Sequence, residues 1–282
     1  TWWPPVSCFT FNSVSNAEEQ NFAIWYSFYR TRNLATVSSA ILALSQLPSE
    51  YRVAWQALNS CVGGSNSFSS SCRGWDSSRS TVDARLGPFN TTKRTNLWSW
   101  LTRLPSYNGT PLRQALDRTG QYLQTTGYNG PYADTIGDST TTYSSCRQSY
   151  SVMMTDGSWN GSGPYSTVNN ETSNGATMPD GVTYTPQAPY TDSNNGNLSD
   201  IAFKYWKTDL QPSLTNNIRA YLPYAASKPP TAAEYWDPRN DPASWQHMTS
   251  FFVGLGLRKN LKNPDWMGST YAGSATAPYT GY

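Results

Sequence analysis

Residues 148–160 read Gln-Ser-Tyr-Ser-Val-Met-Met-Thr-Asp-Gly-Ser-Trp-Asn, and the apolar run of Tyr150 and Val152 to Met154 is stopped at once by Thr155, Asp156 and Gly157. A short apolar run closed by a turn signal is the pattern of a buried strand. In an open α/β sheet, ligands gather at the carboxyl ends of the strands. The carboxylate of Asp156 is therefore predicted at the exit from the core, where Gly157 lets the backbone turn sharply. The same dipeptide also reads as an ordinary turn, its aspartate spent on local hydrogen bonds.

The flanking sequence supplies the helices. A long amphipathic helix is predicted from Asn16, with Glu19 as its capping-box partner. Phe22, Trp25, Phe28 and Tyr29, then Val37, Ile41 and Leu44, form its stripe as far as Leu47, and Pro48 stops it. Tyr51 to Asn59 alternates apolar and polar residues and reads as a strand. Thr95 to Leu104 reads as a short helix, and Pro111 as the first position of another, with Leu112, Ala115, Leu116 and Leu123 on its apolar face. A helix follows from Leu198 to Leu210, with Ser199 as its cap, and Met248 to Leu257 is a strongly apolar strand. Helices alternating with strands predict an α/β fold with a mostly parallel central sheet flanked by helices. One domain is expected over 21–257, between irregular segments 1–20 and 258–282. It carries long irregular loops at 60–92, 158–198 and 211–244, of a length usually tied to function or mobility.

Composition narrows the function. Charged residues are 13% of the 282, and the net charge is +2. That excess is too small to hold nucleic acid or an anionic membrane. No stretch approaches 18 consecutive apolar residues, so no membrane-spanning helix is expected. The opening Thr-Trp-Trp-Pro-Pro is expected of a processed end or a fragment. Aromatics at 14%, with 12 Trp and 19 Tyr among uncharged polar loops, suit an extracellular or carbohydrate-contacting surface.

The four cysteines allow three pairings. The single histidine and the lack of a Cys-x-x-Cys argue against zinc. Cys61 and Cys72 bracket a Gly/Ser-rich stretch and would close a short loop, which leaves Cys8 for Cys146. Two disulfides imply an oxidising compartment.

Asn108-Gly109-Thr110-Pro111-Leu112 puts a hydroxyl on a loop before a helix, and Thr155-Asp156-Gly157 puts a carboxylate at a strand end. Two hard oxygens at one rim suit Mg²⁺ or Mn²⁺. A Gly-Thr-Pro-Leu loop opening a helix, then an apolar strand ending Thr-Asp-Gly, resembles von Willebrand factor A domains. Six stretches in order are similar to the PilY family: Asn21 to Arg32, Tyr51 to Val53, Thr110 to Arg118, Cys146 to Asn160, Asp200 to Leu210, and Asp241 to Gly256. PilY proteins are tip-associated adhesins and assembly factors of bacterial type IV pili. The resemblance implies a von Willebrand factor A-like (Rossmann-like) fold. Its implied partners are minor pilins or other pilus-tip proteins, and a host or abiotic surface ligand. Its implied location is the cell surface or beyond.

The resemblance also implies an adhesion-type metal site for Mg²⁺ (or Mn²⁺/Ca²⁺). Thr110 matches its threonine and Asp156 its aspartate. An Asp-x-Ser-x-Ser motif is expected after a first central strand, upstream of the long helix, and residues 1–20 hold neither. The literal match Asp76-Ser77-Ser78-Arg79-Ser80 lies in a Ser-rich loop with no apolar run before it. Chance explains Asp76, Ser78 and Ser80 better than ligation does. The first strand is thus either outside these residues or lost.

No catalytic set is expected. His247 reads as a satisfied structural histidine. Asp117 and Asp200, which could mimic a glycosidase pair with Asp156, read as solvated or capping helix residues. The Asn-x-Ser/Thr sequences at Asn90, Asn108, Asn160, Asn170 and Asn197 follow from composition. Two alternatives stand beside the adhesin reading: a secreted carbohydrate-binding module that stacks sugars on Trp and Tyr, and a structural subunit of an extracellular filament.

Overall fold

The structure, a computed structural model, describes residues 14–58, 84–103, 109–155, 159–160, 175–187, 190 and 195–254. The chain divides after Pro48 into two compact units.

The first unit carries two helices where the sequence suggested one, α1 (Asn16–Phe28) and α2 (Arg32–Ser45). The break has a local cause. The Thr31 hydroxyl accepts from Leu34 N at 3.2 Å and starts a fresh helix. The α1 capping box is Ser15 with Glu18, one residue earlier than expected: Glu18 N donates to Ser15 Oγ at 3.3 Å and Ser15 N to the Glu18 carboxylate at 2.9 Å. Along α1 the Phe22 ring lies 5.7 Å from Trp25 and 6.0 Å from Tyr26.

The second unit holds β1 (Arg52–Val53), β2 (Gly87–Pro88), α3 (Thr91–Arg103), α4 (Leu112–Leu123), β3 (Ser149–Thr155), α5 (Leu198–Lys207), α6 (Ala232–Tyr235) and β4 (Met248–Gly254). β3 and β4 pair in parallel from Ser149↔Met248 to Thr155↔Gly254. Helices packed on a parallel strand pair make this an α/β arrangement. The sheet is smaller than predicted: among the described residues β3 and β4 pair only with each other, and β1 pairs antiparallel with β2.

The predicted strand over Tyr51–Asn59 is a ladder only at Arg52 and Val53; beyond them Trp55 N donates to Ala84 O at 3.3 Å and side chains make the remaining ties. Buried Arg118 donates to Ala57 O and Leu58 O, and Gln56 Nε2 donates to Ala115 O at 2.8 Å. Arg52 reaches Asp134 O at 2.9 Å and Ala133 O at 3.2 Å.

One core cluster joins α4 (Leu112, Ala115, Leu116, Leu123), β3 (Met153), α5 (Ile201, Tyr205), Leu210 and the start of β4 (Met248). Gly120 permits the contact of α4 with α5, because a β-carbon there would collide with the Tyr205 ring. Beside it Asp117 is fully buried, not solvated as its helix position suggested. It accepts from the Tyr205 hydroxyl at 2.6 Å and Gln121 at 2.9 Å, with Lys204 Nζ at 3.5 Å. Burial, then the bond to Asp117, holds the Tyr205 phenol well above its ordinary pKa.

A second cluster uses the other face of α5. Phe203 packs with Met178, Tyr184, Ala243 and Trp245, flanked by Tyr190, Trp206 and Trp236. This cluster takes Tyr184, Phe203 and Trp245 into the core, while Trp159, Tyr150 and Phe251 are among the aromatic side chains left exposed.

Candidate functional site

The carboxyl ends of parallel β3 and β4 lie at one edge of the second unit, and three connecting segments can be traced around the β3 end. The first is the Gly109–Pro111 loop before α4. Pro111 sits at the N-cap, one residue before the helix proper. The second is Trp159–Asn160, just after β3. The third is the turn before α5, where Gly196 takes φ +68°. Asn197, not Ser199, caps α5: its side chain accepts from Asp200 N at 2.9 Å and its own N donates to buried Asp200 at 3.1 Å. This completes the capping role expected of Asp200.

Side chains and backbone tie the three segments together. Thr110 N donates to Asn160 Oδ1 at 2.6 Å, and Asn160 N donates back to Thr110 O at 3.1 Å. Gly109 allows this approach, since any β-carbon there would collide with Asn160 Oδ1. The Arg113 guanidinium lies 4.2 Å from the Trp159 ring centroid, a cation–π contact, and its Nη1 donates to Gly196 O at 3.2 Å. Arg113, Trp159, Asn197, Leu198 and Ser199 line a cleft of about 300 Å³. The amino ends of α4 and α5 flank it, and both carry partial positive charge.

Thr110, which the sequence offered as a metal ligand, lies in the loop before α4. Its half-buried side chain sits where the pre-α4 loop meets the segment after β3. Asp156 follows Thr155 directly and lies outside the described residues, as do Asp76, Ser78 and Ser80. Of the cysteines, Cys8, Cys61 and Cys72 lie outside them too, while Cys146 is exposed and forms no disulfide with a described residue. Among the described residues no group of three His, Cys, Asp or Glu side chains could hold a metal ion. Thr110 alone supplies one neutral oxygen, which does not hold a hard cation.

His247 is buried. Its Nδ1 faces Trp245 O at 2.7 Å and its Nε2 faces Asp241 Oδ2 at 3.1 Å. Burial alone would push the Asp241 carboxyl up. His247, the Trp206 indole N–H and the Thr249 hydroxyl outweigh that and hold it below the ordinary value. This group anchors the start of β4 and lies in the aromatic cluster.

Sequence reasoning missed Arg113, Trp159, Asn160 and Asn197 as rim residues. The signal for three of them is local: Arg113 and Asn160 neighbour the two motifs, and Asn197 stands three residues before Asp200, a capping-box spacing.

An α/β unit whose loops are laced together where its parallel strands end belongs to the class with a candidate ligand-facing edge. Within that class the comparisons are specific. Over 268 residues, 95% of this chain, the sequence is 46% identical to the protein named Type IV pilus biogenesis factor PilY1 of Pseudomonas aeruginosa strain PAK. Proteins of the same name from strains PAO1 and UCBPP-PA14 match at 46% identity over 95% and 94% of the chain. The chain belongs to the PilY family. It spans about a fifth of these relatives' length, 22%, 22% and 21%. No protein-family model and no solved structure matches it. No described helix is long and apolar enough to cross a membrane.

Proposed function

We propose that this chain is the von Willebrand factor A-like portion of a type IV pilus tip-associated adhesin and assembly factor, acting at the cell surface or outside it. The observation that carries the reading is the 46% identity, over 95% of the chain, to a protein named as a type IV pilus biogenesis factor. Its role is binding and assembly, with no reaction catalysed. Minor pilins or other pilus-tip proteins are the proposed assembly partners, and a host or abiotic surface is the proposed adhesion target.

The binding edge is the rim around Thr110. The backbone clasp brings the Thr110 loop to Asn160, four positions beyond Asp156, which supports Thr110 and Asp156 as two oxygens of a Mg²⁺ (or Mn²⁺/Ca²⁺) site. When bound, such a cation offers an open coordination position to an oxygen of the ligand. On this reading Thr110→Ala and Asp156→Ala both weaken Mg²⁺ binding and adhesion.

The test is genetic. Deleting the gene from a piliated host lowers surface pilus number and attachment. Restoring it with Thr110→Ala or Asp156→Ala returns the pili without full attachment. Unchanged pili and attachment after deletion would remove the reading. Full attachment by both variants would remove only the metal-bearing rim.

A further inference from the structure

The cleft beside the Thr110 loop carries a positive charge that its described walls do not balance. Arg113, half-buried in the first turn of α4, lines it with Trp159, Asn197, Leu198 and Ser199. A guanidinium has five N–H donors and no acceptor. Among the described residues Arg113 Nη1 donates to Gly196 O at 3.2 Å, and its Nε is buried without a hydrogen-bond partner. The ion pairs of the described residues join Arg147 to Asp134, Lys204 to Asp117, Arg239 to Asp237 and His247 to Asp241, and none of them reaches Arg113. Asp200 follows Ser199 directly, but its carboxylate is fully buried and serves the α5 cap, accepting from Asn197 N at 3.1 Å.

Donors of a charged group are costly to leave unmade in a partly enclosed site, and an incoming acceptor removes that cost. The rest of the cleft narrows what the acceptor is. The guanidinium lies 4.2 Å from the Trp159 centroid, so that face of the indole is closed to a sugar ring. Trp159 is still 53% exposed, and with Leu198 it offers apolar contact to a short carbon stem. One guanidinium matches the single charge of a carboxylate, whose two oxygens accept from two N–H groups at once. A volume of about 300 Å³ is the lower end of the range for ligand sites, so the cleft suits one side chain rather than a large ligand. The amino ends of α4 and α5 add potential of the same sign.

We infer that this cleft is a direct carboxylate subsite, in which Arg113, stacked on Trp159, takes an acidic side chain of a peptide segment presented by a partner protein. The inference rests on the reading of this edge as a binding edge and names the group that the edge takes. It is independent of the Thr110–Asp156 metal, because the guanidinium meets the carboxylate with no cation between them.

The experiment uses the full-length protein in EDTA and saturation-transfer NMR with the blocked peptide acetyl-Gly-Glu-Gly-amide, beside the same peptide with Gln in place of Glu. The Glu peptide is expected to bind about tenfold or more tighter, the gain of one charge-assisted hydrogen bond. Arg113→Gln removes the difference, and Arg113→Lys, which keeps the charge but not the planar fork, restores part of it. Because Arg113 also ties Gly196, Ser199→Asp is the second variant. A carboxylate is favoured in the first turn of a helix, so α5 keeps its fold while the cleft turns the peptide away. Equal binding of the two peptides, or no binding, would overturn the inference. So would a Glu preference that survives either Arg113→Gln or Ser199→Asp, or one that appears only when Mg²⁺ replaces EDTA. That last result would leave the metal-bearing rim standing. Tighter binding of galacturonate or inorganic phosphate than of the Glu peptide would overturn the assignment to a peptide carboxylate.

Discussion

The second unit has two hydrophobic clusters that meet along α5, and they are held differently. The α4-side cluster is mainly aliphatic, and its polar insertions include the Asp117–Tyr205 bond and the Tyr122 hydroxyl, which accepts from Leu86 N at 2.9 Å. The other is mainly aromatic and is tied by polar links: Trp245 Nε1 to Trp206 O at 2.8 Å, Trp206 Nε1 to Asp241 at 3.1 Å, and Tyr235 to Asp180 at 2.8 Å. Rings with an N–H or O–H need a partner when buried, so an aromatic core brings a hydrogen-bond network with it. The aliphatic cluster depends on shape alone at most positions. The first should therefore respond to volume, and the second to volume, polarity and acid.

The largest expected effect is on the aromatic side. Trp245→Ala removes a fully buried indole and its bond to Trp206 O, at a cost of about 3–5 kcal/mol in denaturant unfolding. Leu116→Ala on the aliphatic side should cost about 2–5 kcal/mol, with near-UV circular dichroism of the Trp cluster retained below the transition. Equal loss of the Trp signal in both variants would show one cluster rather than two. Tyr205→Phe leaves Asp117 buried without its shortest donor, so about 1–3 kcal/mol is expected.

The smallest effect is titration. Asp241 has a folded pKa below its ordinary value of 3.8, so its stabilising contribution is complete above that value and is lost as pH falls through the folded pKa. Trp fluorescence should report acid loosening of the aromatic cluster, and Asp241→Asn should flatten that dependence. A wild-type profile unchanged by the substitution would count against the clamp.

Periodicity disclosed two helix faces and one strand of the second unit. The apolar faces of α4 and α5 and the limits of β3 emerged from spacing, because amphipathic burial leaves a trace every few residues. Tyr51–Asn59 misled because the carbonyls of Ala57 and Leu58 are taken by Arg118 of α4, a contact that no local pattern encodes. The α5 cap was displaced by two residues since both Asn197 and Ser199 are good capping types. The reciprocal bond with Asp200 decides between them. At the rim, Thr110 was legible from its place before a helix. Its clasp with Asn160 was not, because it joins residues 50 positions apart.

That clasp couples position 109 to position 160. The space that a side chain would take at the first position is filled by the amide of the second. Related sequences that replace the glycine are expected to carry a smaller residue opposite it, and those that keep the asparagine to keep the glycine. A side chain at position 109 therefore has to push the Asn160 amide aside and give up its bond to Thr110 N.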